Sequence, residues 1–311
     1  MEEIRAESWP NLANPTMIAA YKGWNDAGNA ATYALEYIIS QTGATMFASI
    51  DPDEFYDFTQ VRPYTRPIGD YGRVITWTPN NFYYAHISES KDYVFFVGTE
   101  PNLRWRRYSS LLVKMANRLG VKEVISLGSM LADTPHTRPV PLSGGASSPE
   151  LGEKLRSLGI NSSFYEGPTG IVSVAGLTLA ESGIQHASIW ASVPHYISAS
   201  PNPKAALALV DSVERLTGLR VSVDRLQMEA ITFESQVDAA VSDNPDIEQY
   251  VRELEQRVED QQNEDTQDEG APEGYDASEA EGLIRSIEEY LRQQSQNRNK
   301  DDEEDQEEDN K

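Results

Sequence analysis

Residues 15–41 read PTMIAAYKGWNDAGNAATYALEYIISQ. Pro15–Tyr21 is an unbroken apolar run of strand length. Gly23-Trp24-Asn25-Asp26-Ala27-Gly28-Asn29 is a polar, glycine-bearing loop, and Ala30–Gln41 has helical composition. Asn25 or Asp26 is placed to cap the orphan amides at the helix start. A strand without polar alternation is one buried on both faces, which is the habit of parallel sheets joined through helices. This strand–loop–helix unit recurs downstream and sets the fold class.

Thr45–Ile50 is the next strand. Asp51-Pro52-Asp53-Glu54-Phe55-Tyr56-Asp57-Phe58 follows, a surface turn or short helix with its rings turned inward. Arg73–Trp77 and Phe82–His86 flank Thr78-Pro79-Asn80-Asn81, which predicts a hairpin. Asp92–Val97 is a buried strand ending in Gly98-Thr99-Glu100-Pro101-Asn102. A helix over Leu103–Leu119 stops at Gly120. Glu123–Leu127 feeds the stretch Leu127–Pro141, LGSMLADTPHTRPVP. Pro149–Leu158 is a short helix, and Gly167-Pro168-Thr169-Gly170 opens another that runs to about Ser182. His186–Val193 is the last core strand, ending in Pro194-His195-Tyr196. Helices follow over Lys204–Thr217 and Val223–Val241. The alternation predicts a three-layer αβα fold with a mixed, largely parallel central sheet, followed by C-terminal helices.

The predicted organisation is an α/β domain over 1–243, a helix over 244–262, an acidic linker over 263–276, an amphipathic helix over 277–293 and a disordered acidic tail over 294–311. Residues 277–293 place Leu283, Ile284, Ile287, Tyr290 and Leu291 on one stripe. The tail has no apolar residue.

The net charge of −24 is unevenly spread. Residues 243–311 hold 25 acids against 7 bases, and residues 1–242 hold 25 against 19. Such a field repels nucleic acid and anionic membranes. The basic run Arg104-Trp105-Arg106-Arg107 reads as a helix whose arginines meet nearby acids. No apolar run reaches the ~20 residues of a membrane span, and the opening MEEIRAESWP lacks the apolar core of a signal peptide. The absence of cysteine excludes disulfides and thiolate metal sites and fits a cytoplasmic protein. The four histidines are scattered, and no metal or cofactor is expected.

Four predicted strands end in polar loops, and ligands of open α/β sheets sit at the carboxyl ends of the strands. The expected ligand site therefore gathers Gly23, Trp24, Asp26, Glu100, Asp133, His136, Arg138, Thr169 and His195 around one concave surface. Asp26 is either a helix cap or a catalytic acid. Asp133, if bonded to His136, would hold the imidazole in one tautomer as a base. Arg138 suits a carboxylate or phosphate, and the amides at Gly167–Gly170 favour an anion or a carbonyl oxygen. The trio Asp133, His136 and Arg138 is equally a loop stapled by its own polar contacts. No GxSxG elbow, P-loop or GxGxxG is present.

GWNDAG, DPDEFYDF, GTEP, LADTPHTRP, GPTGI and VPHY, in this order over about residues 10–262, resemble the PAC2 family, the proteasome-assembly-chaperone-2-like proteins. Ala277–Leu291 is similar to the C-terminal extension of actinobacterial-type members. The resemblance implies a phosphorylase/hydrolase-like α/β fold, homo-oligomers, and a non-catalytic binding or assembly-chaperone-like role with a proteasome-like particle as partner. It supplies no catalytic residue. Proteasome-docking relatives can end in a hydrophobic residue, a tyrosine and any residue, whereas this sequence ends Asp309-Asn310-Lys311. The alternative is a hydrolase- or phosphorylase-type enzyme, or a small-ligand-binding protein, using the loop edge.

Overall fold

The computed structural model describes residues 3–163 and 165–264. The predicted amphipathic helix over 277–293 and tail over 294–311 lie outside the described residues, as does the predicted linker beyond Glu264.

Eleven strands and seven helices are described. In chain order they are β1 (Ile4–Ala6), β2 (Thr16–Lys22), α1 (Ala30–Thr42), β3 (Thr45–Ile50), β4 (Tyr64–Ile68), β5 (Gly72–Thr76), β6 (Asn81–Ser88), β7 (Lys91–Thr99) and α2 (Trp105–Leu119). There follow β8 (Glu123–Ala132), β9 (Leu142–Ala146), α3 (Pro149–Ser157), β10 (Asn161–Ser162), α4 (Ile171–Glu181), β11 (Gln185–Pro194), α5 (Pro203–Thr217), α6 (Asp224–Ser242) and α7 (Pro245–Glu264). Nine strands form one mixed sheet in the order β1-β3-β6-β7-β2-β8-β11-β9-β10. Its centre, β7-β2-β8-β11, is parallel. Antiparallel pairs flank it on both sides.

The apolar runs divide their side chains between the two faces by strand alternation. In β2, Ile18 and Ala20 join the core under α1, α3 and α5, while Met17, Ala19 and Tyr21 join the core under α2 and α4. Phe95 and Phe96 of β7 part in the same way. At ~1.5–3 kcal/mol for each fully buried large apolar side chain, these strands are stable only when covered on both sides. The result is three layers. A smaller third core joins Tyr196 and Ile197 after β11 to Phe233 and Val237 of α6 and Ile247, Val251 and Leu254 of α7.

The acidic–aromatic segment after β3 is a 3₁₀ turn over Pro52–Glu54 with Phe55 and Tyr56 buried. The basic run lies at the start of α2, where Arg104 and Arg107 meet Glu54, and Arg107 also meets Glu3.

The hairpin expected across Thr78–Asn81 does not form. β5 pairs with β4 in a separate two-stranded arm, and β6 pairs with β7 and β3 in the main sheet. Asn80 is the reason. Its buried side-chain oxygen accepts from the hydroxyls of Tyr56 and Tyr108 and from the Thr99 amide, which draws the segment into the core instead of through a tight turn. The true turn is Gly69-Asp70-Tyr71, with Gly69 at φ +56.

β3 is antiparallel to β6, and β6 to β7, so β3 runs in the direction of the parallel strands. The carboxyl ends of β3, β7, β2, β8 and β11 therefore share one edge, which carries the β4–β5 arm at one end and α6–α7 at the other.

Candidate functional site

The loops after β2, β7, β8 and β11 meet at this edge. Asp26 bridges to Ser129 of β8, and the Ser129 amide donates to the Asn25 carbonyl at 2.9 Å. The same loop reaches the segment after β11 through Asn202 N–H to the Gly28 carbonyl, 2.8 Å. The edge is one continuous surface of backbone contacts, and its functional groups fall into separate sets.

Asp26 is buried at the start of α1. Its carboxylate accepts from the amides of Ala31 and Thr32 at 2.9 and 3.1 Å and from the Thr32 hydroxyl. Burial pushes its pKa up, opposed by those three donors. The group is a helix cap.

Glu100 forms the second set. One carboxylate oxygen accepts from Asn25 Nδ2 at 2.8 Å and from the Ile171 amide at the start of α4 at 2.9 Å. The other accepts from the Trp24 amide at 3.3 Å. The anion that the α4 N-terminus favours is thus supplied from within the chain. Gly23 sits at φ +123 against Glu100, where a Cβ would lie 3.0 Å from Glu100 Cβ. A Cβ on Gly170 would lie 2.0 Å from Asn25 Oδ1. Thr169 is exposed beside this set, and Trp24 is 61% exposed.

The third set is the stretch after β8. Asp133 does not bond His136; it pairs with His195, Oδ1 to Nδ1 at 2.9 Å. Asp133 and His136 lie three positions apart in a proline-containing loop that sends them to different neighbours. His195 Nε2 lies 3.4 Å from the Tyr250 hydroxyl of α7. His136 is buried, with Nδ1 2.7 Å from the Tyr196 hydroxyl and Nε2 3.0 Å from Asp238 of α6. An ionised carboxylate can only accept, so the neutral ring carries its proton on Nε2, and the Tyr196 O–H donates to Nδ1. Burial pulls the His136 pKa down, opposed by Asp238. Thr137 donates to Glu255 of α7, Arg138 pairs with Glu259 of α7, and Lys204 pairs with Glu234 of α6 at 2.8 Å. The stretch is a clamp on α6 and α7. Sequence reasoning missed Asp238, Glu255 and Glu259 as its counterparts, because helical spacing gives the face of α6 or α7 without saying what it meets.

A cavity of about 20 Å³ remains under this clamp, beside Thr134, His136, Lys204 and Phe233. That is room for about one water. A larger groove of about 400 Å³ opens elsewhere on the edge, at the base of the arm, between Arg5, Asp51, Trp77 and Asn80. Among the described residues no three His, Asp or Glu side chains gather to hold a metal ion. No described helix is long and apolar enough to cross a membrane.

The PAC2 family model matches residues 20–241. The chain is similar to a PAC2 family protein from Streptomyces avermitilis, at 38% identity and TM-score 0.71, covering 76% of this chain and 100% of that one. It is similar to a proteasome-assembly chaperone homologue from Mycobacterium tuberculosis, at 36% identity and TM-score 0.69, covering 76% and 99%. An archaeal proteasome activator from Pyrococcus furiosus shares the fold at 17% identity and TM-score 0.61, covering 77% and 99%. No curated protein matches the sequence.

Proposed function

This chain belongs to the PAC2 family, and from that membership we propose that it is a non-catalytic, assembly-chaperone-like binding protein whose partner is a proteasome-related particle. One observation carries the reading. Each group at the loop edge that suits chemistry is engaged by the chain itself. Asp26 caps α1, Glu100 caps α4, and Arg138 holds Glu259. The one ring lone pair of His136 accepts the hydrogen bond of the Tyr196 hydroxyl. The Asp133–His195 pair, the arrangement that would best suit a general base, faces Tyr250 of α7. The clamp is spent on the chain's own α6 and α7. The 36% identity to a proteasome-assembly chaperone homologue supports the same partner class.

We infer also that the chain self-associates. Met228 and Ile231, one helical turn apart on α6, are each more than 60% exposed and suit a subunit contact.

The test is reconstitution. Full-length protein is mixed with proteasome α- and β-subunits below the concentration at which they assemble alone, and the products are followed by native mass spectrometry. The expected result is a complex with α-subunits, or faster assembly. Absence of any complex at tens of micromolar, with assembly unchanged, would overturn the reading. Light scattering of the chain alone reads its oligomeric state.

A further inference from the structure

We propose that the β4–β5 arm is the docking surface for this chain's own C-terminal segment, residues 277–311. The arm is a two-stranded hairpin outside the main sheet. Such a hairpin is marginal in water by itself, and this one carries its apolar side chains bare. Tyr64, Ile68, Tyr71 and Ile75 are all more than half exposed, Tyr71 completely.

Its charge is opposite to that of the rest of the chain. Residues 61–78 hold Arg62, Arg66 and Arg73 against Asp70 alone, in a protein of net charge −24. Each of the three arginines is exposed, and none has an ion-pair partner among the described residues. The surface asks for an occupant that is both apolar and acidic.

Residues 277–311 have both properties. Leu283, Ile284, Ile287, Tyr290 and Leu291 recur at helical spacing, and Asp301–Asp309 contains eight acids in nine residues. Guanidinium–carboxylate pairs are the stronger kind of ionic hydrogen bond.

The geometry allows the contact within one chain. The arm rises between the end of β3 and the start of β6, on the edge where Arg138 holds α7. Glu259, five residues before the end of α7, is held by Arg138 in the loop after β8, and four strand spacings separate β3 from β8, roughly 19 Å at ~4.8 Å each. The twelve residues 265–276 reach ~40 Å when extended. A tethered segment also works at an effective concentration of the order of millimolar, so it outcompetes a free acidic partner of equal affinity.

The experiment uses the full chain with Tyr71→p-benzoylphenylalanine. Light, heavy-isotope mixing and mass spectrometry locate the crosslinks. The expected result is a crosslink to residues 277–311 within the same chain. It should fall at least tenfold at 1 M NaCl, in the triple variant Arg62→Glu, Arg66→Glu, Arg73→Glu, and in a variant with Asp301, Asp302, Glu303 and Glu304 changed to amides. Circular dichroism checks that both variants remain folded. Crosslinks only to the folded body, crosslinks only between light and heavy copies, no crosslink at all, or a yield indifferent to salt and to both variants would each overturn the proposal. Failure of the reconstitution above leaves these outcomes unchanged, so the two ideas fall separately.

Discussion

His136 Nε2 lies 3.0 Å from Asp238, on a helix 102 residues further along the chain, and not against Asp133 in its own loop. With Tyr196 on the other nitrogen, the ring is a rivet between the loop after β8, the segment after β11 and α6. The residues that look most chemical in the sequence are placed to hold the C-terminal helices on the sheet edge.

Replacing that rivet should cost stability. His136→Ala leaves the buried Tyr196 hydroxyl without its acceptor and opens the packing beside Phe233. The expected loss is ~2–3 kcal/mol, a fall in melting temperature of about 4–10 °C for a chain of this size. Asp238 is half exposed, so Asp238→Asn should change stability by less than ~1 kcal/mol. Thermal unfolding by circular dichroism reads both, and equal effects would contradict the rivet.

Asp26 separates a cap from a catalytic acid. An Asn side chain keeps an oxygen for the Ala31 and Thr32 amides, and its NH2 can donate to the Thr32 hydroxyl. Burial pushes the Asp26 carboxyl pKa up, so it is the charged form that the site disfavours. Asp26→Asn should therefore keep stability at pH 7 within ~1 kcal/mol, while Asp26→Ala loses ~1–2 kcal/mol as a lost cap does. Chemical denaturation of the three proteins is the check. A large loss in the Asn variant would mean that the ionised form matters.

Glu100 should be the costliest of the predicted site residues to remove. Glu100→Ala strips an acceptor from Asn25, Trp24 and Ile171 at once, and Asn25 Oδ1 is already buried without a partner. A loss of ~2–4 kcal/mol follows from the unsatisfied groups. Gly170→Ala should also destabilise, because its Cβ would overlap Asn25 Oδ1. In the double variant Asn25→Ala, Gly170→Ala the overlap disappears. The two losses should then sum to more than the measured double loss, a non-additivity that a double-mutant cycle reports.

The fold was legible wherever a strand is apolar on both faces. Thr45–Ile50 agrees residue for residue, β2, β7 and β11 differ only at their ends, and β8 runs five residues past the expected Leu127, to Ala132, through part of the stretch expected as a loop. β9 was not legible, since Leu-Ser-Gly-Gly-Ala has neither period nor bulk and pairs because glycine lets backbones approach. The false hairpin arose from reading Thr-Pro-Asn-Asn as a turn, when Asn80 is a buried hub. That the four loops share an edge followed from strand polarity alone. Which groups touch did not, because Asp238, Glu255 and Glu259 approach from helices 100 or more residues away.

The last prediction concerns acid. His186 is buried against Ser126, with its Nε2 3.0 Å from the serine hydroxyl, and burial pulls its pKa down to about 4. The unfolded chain binds that proton near pH 6.5. Between those values the unfolded state holds more protons than the folded one, so stability falls as pH falls through the window and is fully present above about 6.5. His136, lowered by burial as well, adds in the same direction. At ~1.4 kcal/mol per pH unit, His186 alone removes ~2 kcal/mol by pH 5. Asp26 and Asp211, whose carboxyl pKa values burial pushes up, act in the opposite sense, so a variant of His186 is needed to isolate the imidazole. Urea unfolding at pH 8, 7, 6 and 5 should show a plateau above pH 7 and then a decline. His186→Gln, which cannot charge, should flatten the decline even if it lowers the plateau. An unchanged slope in that variant would mean that the buried imidazole is not what makes the protein acid-labile.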